Sequence, residues 1–215
     1  MSDFNTDAVD YSVYVILDRE KIRGRPVRRL TEQIIRGGAT IIQYRDKVSE
    51  TGPFCEQAMQ IYEVTEKHRI PLLINDRLDI ALASGAAGIH IGQTDMPLRL
   101  ARKLLGSKRL VGLSISRPEQ VSSAEGADYL GVGAVFPTHT KVVKGCGGPA
   151  LIRKVREQTT LPLVGIGGIT AENAEMVIKA GCDGVSVISC VLDAVDAEKA
   201  VRQLADAVRK AKKQI

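Results

Sequence analysis

Short runs of Val, Ile and Leu alternate along the chain with longer segments whose apolar residues recur every three or four positions. The short runs begin near Ser12, Thr40, Pro71, Gly88, Leu110, Tyr129, Leu163 and Gly184. Their β-branched content, their length and the glycine-containing stops around them predict strands. They recur about every 25 residues, the length that one strand and one crossover helix require. Between them the helical period is plain. Phe54, Ala58, Ile61, Tyr62 and Thr65 line one face from Pro53 to Lys67; Leu98, Ala101, Leu104 and Leu105 do so from Met96 to Leu105. Val201, Leu204, Ala205, Val208 and Ala211 repeat the pattern near the end. Gly37-Gly38, Gly85, Gly126 and Gly181 read as helix C-caps that lead into the next strand.

Eight strands, each followed by a helix, predict an α/β fold of the (β/α)8 TIM-barrel type, whose size range begins near about 200 residues. An open doubly wound sheet is the alternative, but it usually has fewer strands at this length. The 215 residues suit a single domain. The barrel is expected over about 12–208, with terminal extensions at 1–10 and 209–215.

Composition narrows the function classes. Aromatic residues are 4% with no Trp, which argues against a surface that stacks single-stranded bases and predicts an aliphatic core. The formal charge of +5 permits an anionic partner. Much of the basic excess sits in Arg99, Arg102, Lys103, Lys108 and Arg109, and in Arg209, Lys210, Lys212 and Lys213. Without a nucleic-acid-binding signature these read as a solvated helix face and tail, so phosphorylated small molecules are the expected partners and nucleic acid is not. Cys55, Cys146, Cys182 and Cys190 form no CxxC pair and read as reduced thiols. No stretch approaches the roughly 20 apolar residues of a membrane span, so no membrane partner and a cytoplasmic address are expected. Homo-oligomerisation stays open.

In such a barrel the reacting groups come from the C-terminal ends of the strands. Gln43, Arg45 and Lys47 occupy alternate positions at the second strand end, and a period of two throws them onto one face. A guanidinium fork beside an ammonium suits a phosphate or diphosphate. A strand end whose charges are merely solvated is the alternative, and it stays open on these residues alone. Asp76 and Asp95, at adjacent strand ends, suit Mg²⁺, which takes one or two carboxylates and leaves other positions to water and phosphate. Helix N-capping ahead of Leu78 is the competing use of Asn75 and Asp76. The segment from Pro137 to Gly148, with Thr138, Thr140, Lys141 and Lys144, could fold over a ligand. Gly167-Gly168 and Ile188-Ser189 follow the seventh and eighth strands, where barrels often bind phosphate through backbone amides. Two phosphate sites suggest a transfer reaction.

These strand ends resemble the thiamine-phosphate synthase family over about residues 12–208. Gln43-Tyr44-Arg45-Asp46-Lys47 resembles the family's Gln-Leu-Arg-x-Lys element, with Tyr44 in place of Leu. Asn75-Asp76 and His90-Ile91-Gly92-Gln93-Thr94-Asp95 resemble its Asn-Asp and His-x-Gly-Gln-x-Asp elements. The segment from Gly133 to Lys141 resembles its Gly-x-x-Phe-Pro-Thr-x-Thr-Lys loop, and Gly165 to Ile169 and Gly184 to Ser189 complete the match. Gly145-Cys146-Gly147-Gly148 departs from the family's usual pattern.

The resemblance implies coupling of hydroxymethylpyrimidine diphosphate with thiazole phosphate to give thiamine phosphate and diphosphate. It implies that Gln43, Tyr44, Arg45, Asp46, Lys47, Asn75, Ser114 and Lys141 hold the pyrimidine diphosphate and that Asp76 and Asp95 hold Mg²⁺. Thr138, His139, Thr140, Gly168, Ile188 and Ser189 would hold the thiazole phosphate. The implied mechanism is dissociative, with Arg45, Lys47 and Lys141 stabilising the departing diphosphate. His90, between Ile89 and Ile91, reads as a hydrogen-bonded barrel residue rather than a ligand. A thiazole tautomerase or a ligand-sensing barrel of the same fold is the alternative.

Overall fold

The computed structural model describes residues 9–138 and 146–215. Eight strands pair in parallel and in chain order: β1 (Val13–Asp18), β2 (Ile41–Arg45), β3 (Leu72–Asn75), β4 (Gly88–Ile91), β5 (Leu110–Ile115), β6 (Tyr129–Gly133), β7 (Leu163–Ile166) and β8 (Gly184–Val187). Strand β8 returns to β1, with Tyr14 opposite Ser186, and closes the barrel. Five strands begin at the residue that the apolar pattern marks and three begin one residue later.

The helices are α1 (Arg19–Ile22), α2 (Val27–Gly37), α3 (Thr51–Lys67), α4 (Leu78–Ser84), α5 (Leu98–Leu105), α6 (Gly148–Arg156), α7 (Ala174–Lys179), α8 (Ser189–Leu192) and α9 (Ala197–Lys212). Side-chain caps start two of them, Asp18 accepting from the Glu20 amide and Asp196 from the Lys199 amide. Gly38 and Gly85 end α2 and α4 at φ 107° and 80°, as their C-cap reading predicts.

Two expectations are corrected. The α-helix expected between β5 and β6 is a short 3₁₀ helix, Pro118–Ser123. This segment has no wide apolar face, and the Ser122 and Ser123 hydroxyls donate to the carbonyls of Glu119 and Gln120, a local pairing that competes with a helical ladder. Gly126 therefore follows a 3₁₀ turn and caps no α-helix. The basic residues Arg209, Lys210 and Lys212 belong to α9, which runs past the expected boundary at 208 because Val208 and Ala211 are both buried.

The core is in two parts. The larger lies between the strands and the surrounding helices and is almost wholly aliphatic, with Tyr44 and Phe54 meeting edge to face at 5.2 Å. Such a pair adds about 0.5–1.5 kcal/mol beyond the area it buries. The smaller part fills the barrel interior with Tyr11, Tyr14, Ile16, Ile41, Leu73, Leu110, Tyr129 and Val164. Arg102 knits the basic group into the fold by donating to the carbonyls of Gly106, Arg109 and Gly126 while pairing with Asp128. Among the described residues no helix is long and apolar enough to cross a membrane.

Helix α2 packs closely on α9 at Gly37, where a Cβ would lie 2.6 Å from the Glu198 carbonyl oxygen and 2.7 Å from Val201 Cβ. Gly37→Ala should therefore destabilise the fold. The propensity gain of about 1 kcal/mol for Ala in a helix is outweighed by overpacking of about 1–3 kcal/mol against a backbone that cannot rotate away. A urea denaturation midpoint below that of the wild type is the expected result.

Candidate active site

Among the described residues, the C-terminal ends of the strands gather Gln43, Arg45, Asn75, Asp76, Asp95 and Ser114, with Lys47 in the turn after β2. Along β2, Gln43 and Arg45 face the barrel interior while Tyr44 faces the helices, as the period of two requires. Arg45 Nη1 donates to Asp18 Oδ2 at 2.5 Å across the β1–β2 register, where the two residues are direct partners. Asp18 is buried, so it fixes the half-exposed guanidinium at the mouth. Sequence reasoning missed this residue, because its sole signal was a position opposite Arg45 that only strand pairing reveals.

Tyr44 and Asp46 offer the mouth only their backbone. The Tyr44 hydroxyl lies within hydrogen-bond distance of both Asp46 Oδ2, at 3.0 Å, and Gln57 Oε1, at 2.7 Å, tying β2 to α3. Asp46 Oδ1 also accepts from the amides of Val48 and Ser49 and shapes the turn that presents Lys47. Burial alone would raise the Asp46 carboxyl, yet the hydrogen bonds from Ser49, Val48 and Tyr44 together hold it below its ordinary value. Both side chains are structural supports for the contacts made by their neighbours.

Lys47 pairs with Asp76, which brings the ends of β2 and β3 into contact. Asp76 adopts φ 48°, a left-handed conformation unusual for a residue with a Cβ, and its amide donates to the His90 carbonyl at 2.9 Å. The capping alternative for Asn75 and Asp76 is set aside, because α4 is preceded by Arg77 and receives no side-chain cap. Arg77 instead bridges Asp79 and Thr51 and lies over the Phe54 ring. At the end of β4, Asp95 Oδ2 accepts from the Gly92 amide at 2.7 Å, and Gln93 Nε2 donates to the Ser114 carbonyl at 2.8 Å.

Asp76 and Asp95 thus stand at neighbouring strand ends with half-buried, all-oxygen donors. That set fits Mg²⁺, a hard cation that takes one or two carboxylates. No group of three or more His, Cys, Asp or Glu converges among the described residues.

Across the mouth, the turn after β7 is held against the strand end of β6. The Phe136 amide donates to the Gly167 carbonyl, and a Cβ on Gly168 would approach within 2.8 Å of Phe136 Cβ. Gly167 and Gly168 take φ 99° and 63°, which glycine alone adopts freely. Asn173 secures this turn: its Nδ2 donates to the Gly168 carbonyl and its Oδ1 accepts from the Thr170 amide, both at 2.9 Å. Asn173 was not legible as a site residue, since nothing in its neighbourhood marks it. Ile188 immediately precedes α8, so Ser189 opens a helix at the mouth, and Arg25 clamps its far end by donating to the Leu192 carbonyl. Thr138 lies at the edge of the described residues and is half-buried. His139, Thr140 and Lys141 lie outside them.

Cys182 and Cys190 supply no activated nucleophile. Burial pushes the Cys182 thiol up to about 12 and the Cys190 thiol up to about 11, which removes the thiolate at neutral pH. All four are free, as the sequence reading expects.

The sequence profile of the thiamine monophosphate synthase family matches residues 13–191, from the first residue of β1 to within α8. The chain belongs to this family. The thiamine-phosphate synthase of Clostridium acetobutylicum is 44% identical over 204 residues, covering 94% of this chain and 97% of that protein. That of Natronomonas pharaonis is 45% identical over 204 residues, covering 93% and 95%. The solved thiamine phosphate pyrophosphorylase from Pyrococcus furiosus superposes with a TM-score of 0.85 at 36% identity, covering 94% of this chain and 98% of that one.

The left-handed backbone at Asp76 has a measurable consequence. An L side chain costs about 1–2 kcal/mol there that glycine does not incur. In urea denaturation Asp76→Gly should be more stable than Asp76→Ala by about 1 kcal/mol, with a correspondingly higher midpoint, although both lack the carboxylate.

Proposed function

We propose that this chain joins hydroxymethylpyrimidine diphosphate to thiazole phosphate, releasing diphosphate and thiamine phosphate. Synthesis of thiamine phosphate, a transferase reaction, is the activity of the family to which it belongs. The observation that carries the reading is the meeting of Arg45 and Lys47 with Asp76 and Asp18 at adjacent strand ends, opposite a glycine turn and a helix start. A mouth with a cationic, carboxylate-bearing side and an amide-rich side suits two phosphorylated substrates of different charge.

In this reading Gln43, Arg45, Lys47, Asn75 and Ser114 hold the pyrimidine diphosphate, and the family resemblance adds Lys141. Thr138, Gly168, Ile188 and Ser189 hold the thiazole phosphate, and the same resemblance adds His139 and Thr140. Asp76 and Asp95 would hold Mg²⁺, which supplies charge neutralisation to the diphosphate when bound. The carbon–oxygen bond to the diphosphate breaks first, and its electron pair leaves with the diphosphate. Arg45 and Lys47 stabilise that departing charge. The thiazole nitrogen then gives its lone pair to the pyrimidinylmethyl cation, and no protein nucleophile takes part. Asp18 keeps the Arg45 fork aimed at the mouth, and Lys47 exchanges Asp76 for a diphosphate oxygen.

The test is product formation from the two phosphorylated precursors, with Mg²⁺ and with a chelator. Metal-dependent thiamine phosphate is the expected result. Arg45→Ala and Asp76→Asn should each lower kcat/KM by about 100-fold or more, the scale of a lost transition-state charge partner. Wild-type turnover in either variant would remove that residue from its role. Thiazole phosphate binding without product would favour the tautomerase or ligand-sensing alternative.

A further inference from the structure

Beneath the mouth, the barrel interior holds one continuous string of side-chain hydrogen bonds. Gln43 Nε2 donates to the Tyr14 hydroxyl at 2.5 Å, and the Tyr14 and Tyr129 hydroxyls lie 3.0 Å apart. The Tyr129 hydroxyl is 2.8 Å from His90 Nδ1, and His90 Nε2 is 2.9 Å from Ser114 Oγ. The string visits β2, β1, β6, β4 and β5 in turn and ends on two residues three strands apart. Tyr14, Tyr129 and Gln43 are all buried, so water does not compete for these bonds.

Proton counting gives the string a direction. A neutral phenol brings one proton, and burial pushes both tyrosine hydroxyls far above their ordinary range, so each stays protonated. Tyr14 accepts from Gln43, and its own proton goes to Tyr129, because the reverse bond would leave a buried phenol proton without an acceptor. Tyr129 in turn gives its own to His90 Nδ1. The imidazole is then the neutral Nε2–H tautomer and donates to Ser114 Oγ. The Ser114 proton is the last in line and turns toward the mouth, while Gln43 gives one of its two amide N–H groups to Tyr14, which fixes the turn of its amide and with it the place of its carbonyl acceptor.

We infer that Tyr14, Tyr129 and His90 are positioning residues whose one-way hydrogen bonds fix Ser114 as a donor and Gln43 as an acceptor toward the pyrimidine. The inference rests on the assignment of Gln43 and Ser114 to that substrate. An aminopyrimidine offers amino donors and ring-nitrogen acceptors, so a fixed acceptor and a fixed donor held three strands apart discriminate it from a ring with the reverse pattern. Two glycines make room for the string. A Cβ on Gly112 would strike the Tyr129 ring, and one on Gly131 would come within 2.9 Å of His90 Cε1. The rings of His90 and Tyr129 sit 5.5 Å apart with their planes 36° from parallel.

Two measurements test the inference independently. Nitrogen-15 spectra of the histidine rings in the protein without substrate should show His90 as the neutral Nε2–H tautomer, the signal being assigned by its loss in His90→Gln. An Nδ1–H tautomer would mean the string runs the other way and would overturn the proposal. In the coupling assay, Tyr14→Phe and Tyr129→Phe each keep the ring and remove one hydroxyl with the two bonds it makes. Each should raise the KM for the pyrimidine diphosphate about tenfold, the effect of one or two misdirected hydrogen bonds, and leave the KM for thiazole phosphate within about twofold. The double variant should be no worse than the poorer single one, because cutting the string once already releases its direction. Equal rises in both KM values, or an unchanged KM for the pyrimidine, would sink the positioning role. If the wild-type protein makes no thiamine phosphate, the functional assignment fails, while the spectra still decide the direction of the string.

Discussion

Closure of eight parallel strands into a barrel sends every second residue of each strand inward, and that interior must be filled without leaving polar groups unpaired. In this chain the space is filled by pairing large rings with glycines, while the buried Ser186 hydroxyl on β8 is left without a hydrogen-bond partner among the described residues. Tyr14 and Tyr129 occupy the interior beside Gly112, Gly131 and Gly184, positions where a Cβ would strike a ring or a backbone carbonyl. A wider set of side chains would block the tyrosines, and smaller rings would leave voids. The hydroxyls that come with these rings are then obliged to find partners, and they find each other, Gln43 and His90.

The mouth inherits its geometry from that packing. Gln43 lies directly above the interior tyrosines on β2, and Arg45 is the next inward position on the same strand. Asp18 ends the neighbouring strand at the same level and pairs with it. The cationic side of the site is therefore an extension of the barrel wall. The opposite side depends on backbone: the left-handed glycines after β7, held by Asn173, and the start of α8, a helix whose far end Arg25 holds. Rigid strand ends place charge on one side, and turns that only glycine can make present amides on the other.

Electrostatics and conformation pull against each other at Asp76. Its left-handed backbone is unfavourable for any residue with a side chain, and its surface pairing with Lys47 returns little energy because exposed ion pairs are screened. Stability alone would place glycine there. A carboxylate is retained at a position that costs the fold, which accords with a role in holding a cation and with the general rule that strain collects at working sites.

The period of two in β2 was enough to put Gln43 and Arg45 on one face, although Lys47 lies in the turn beyond the strand, and the apolar runs alone marked all eight strands, because these are properties of adjacent residues and need no partner. The same local logic failed between β5 and β6, where serine hydroxyls and a proline left a 3₁₀ turn in place of a helix. Tertiary structure decided everything that depends on what lies across the barrel. It showed that Asp18 faces Arg45, that Tyr44 and Asp46 turn outward to brace α3, and that Tyr14, Tyr129 and His90 join one string although as many as 115 residues separate the two tyrosines. Sequence spacing records which face of a strand a side chain takes. Only closure of the sheet determines which other strand that face will meet.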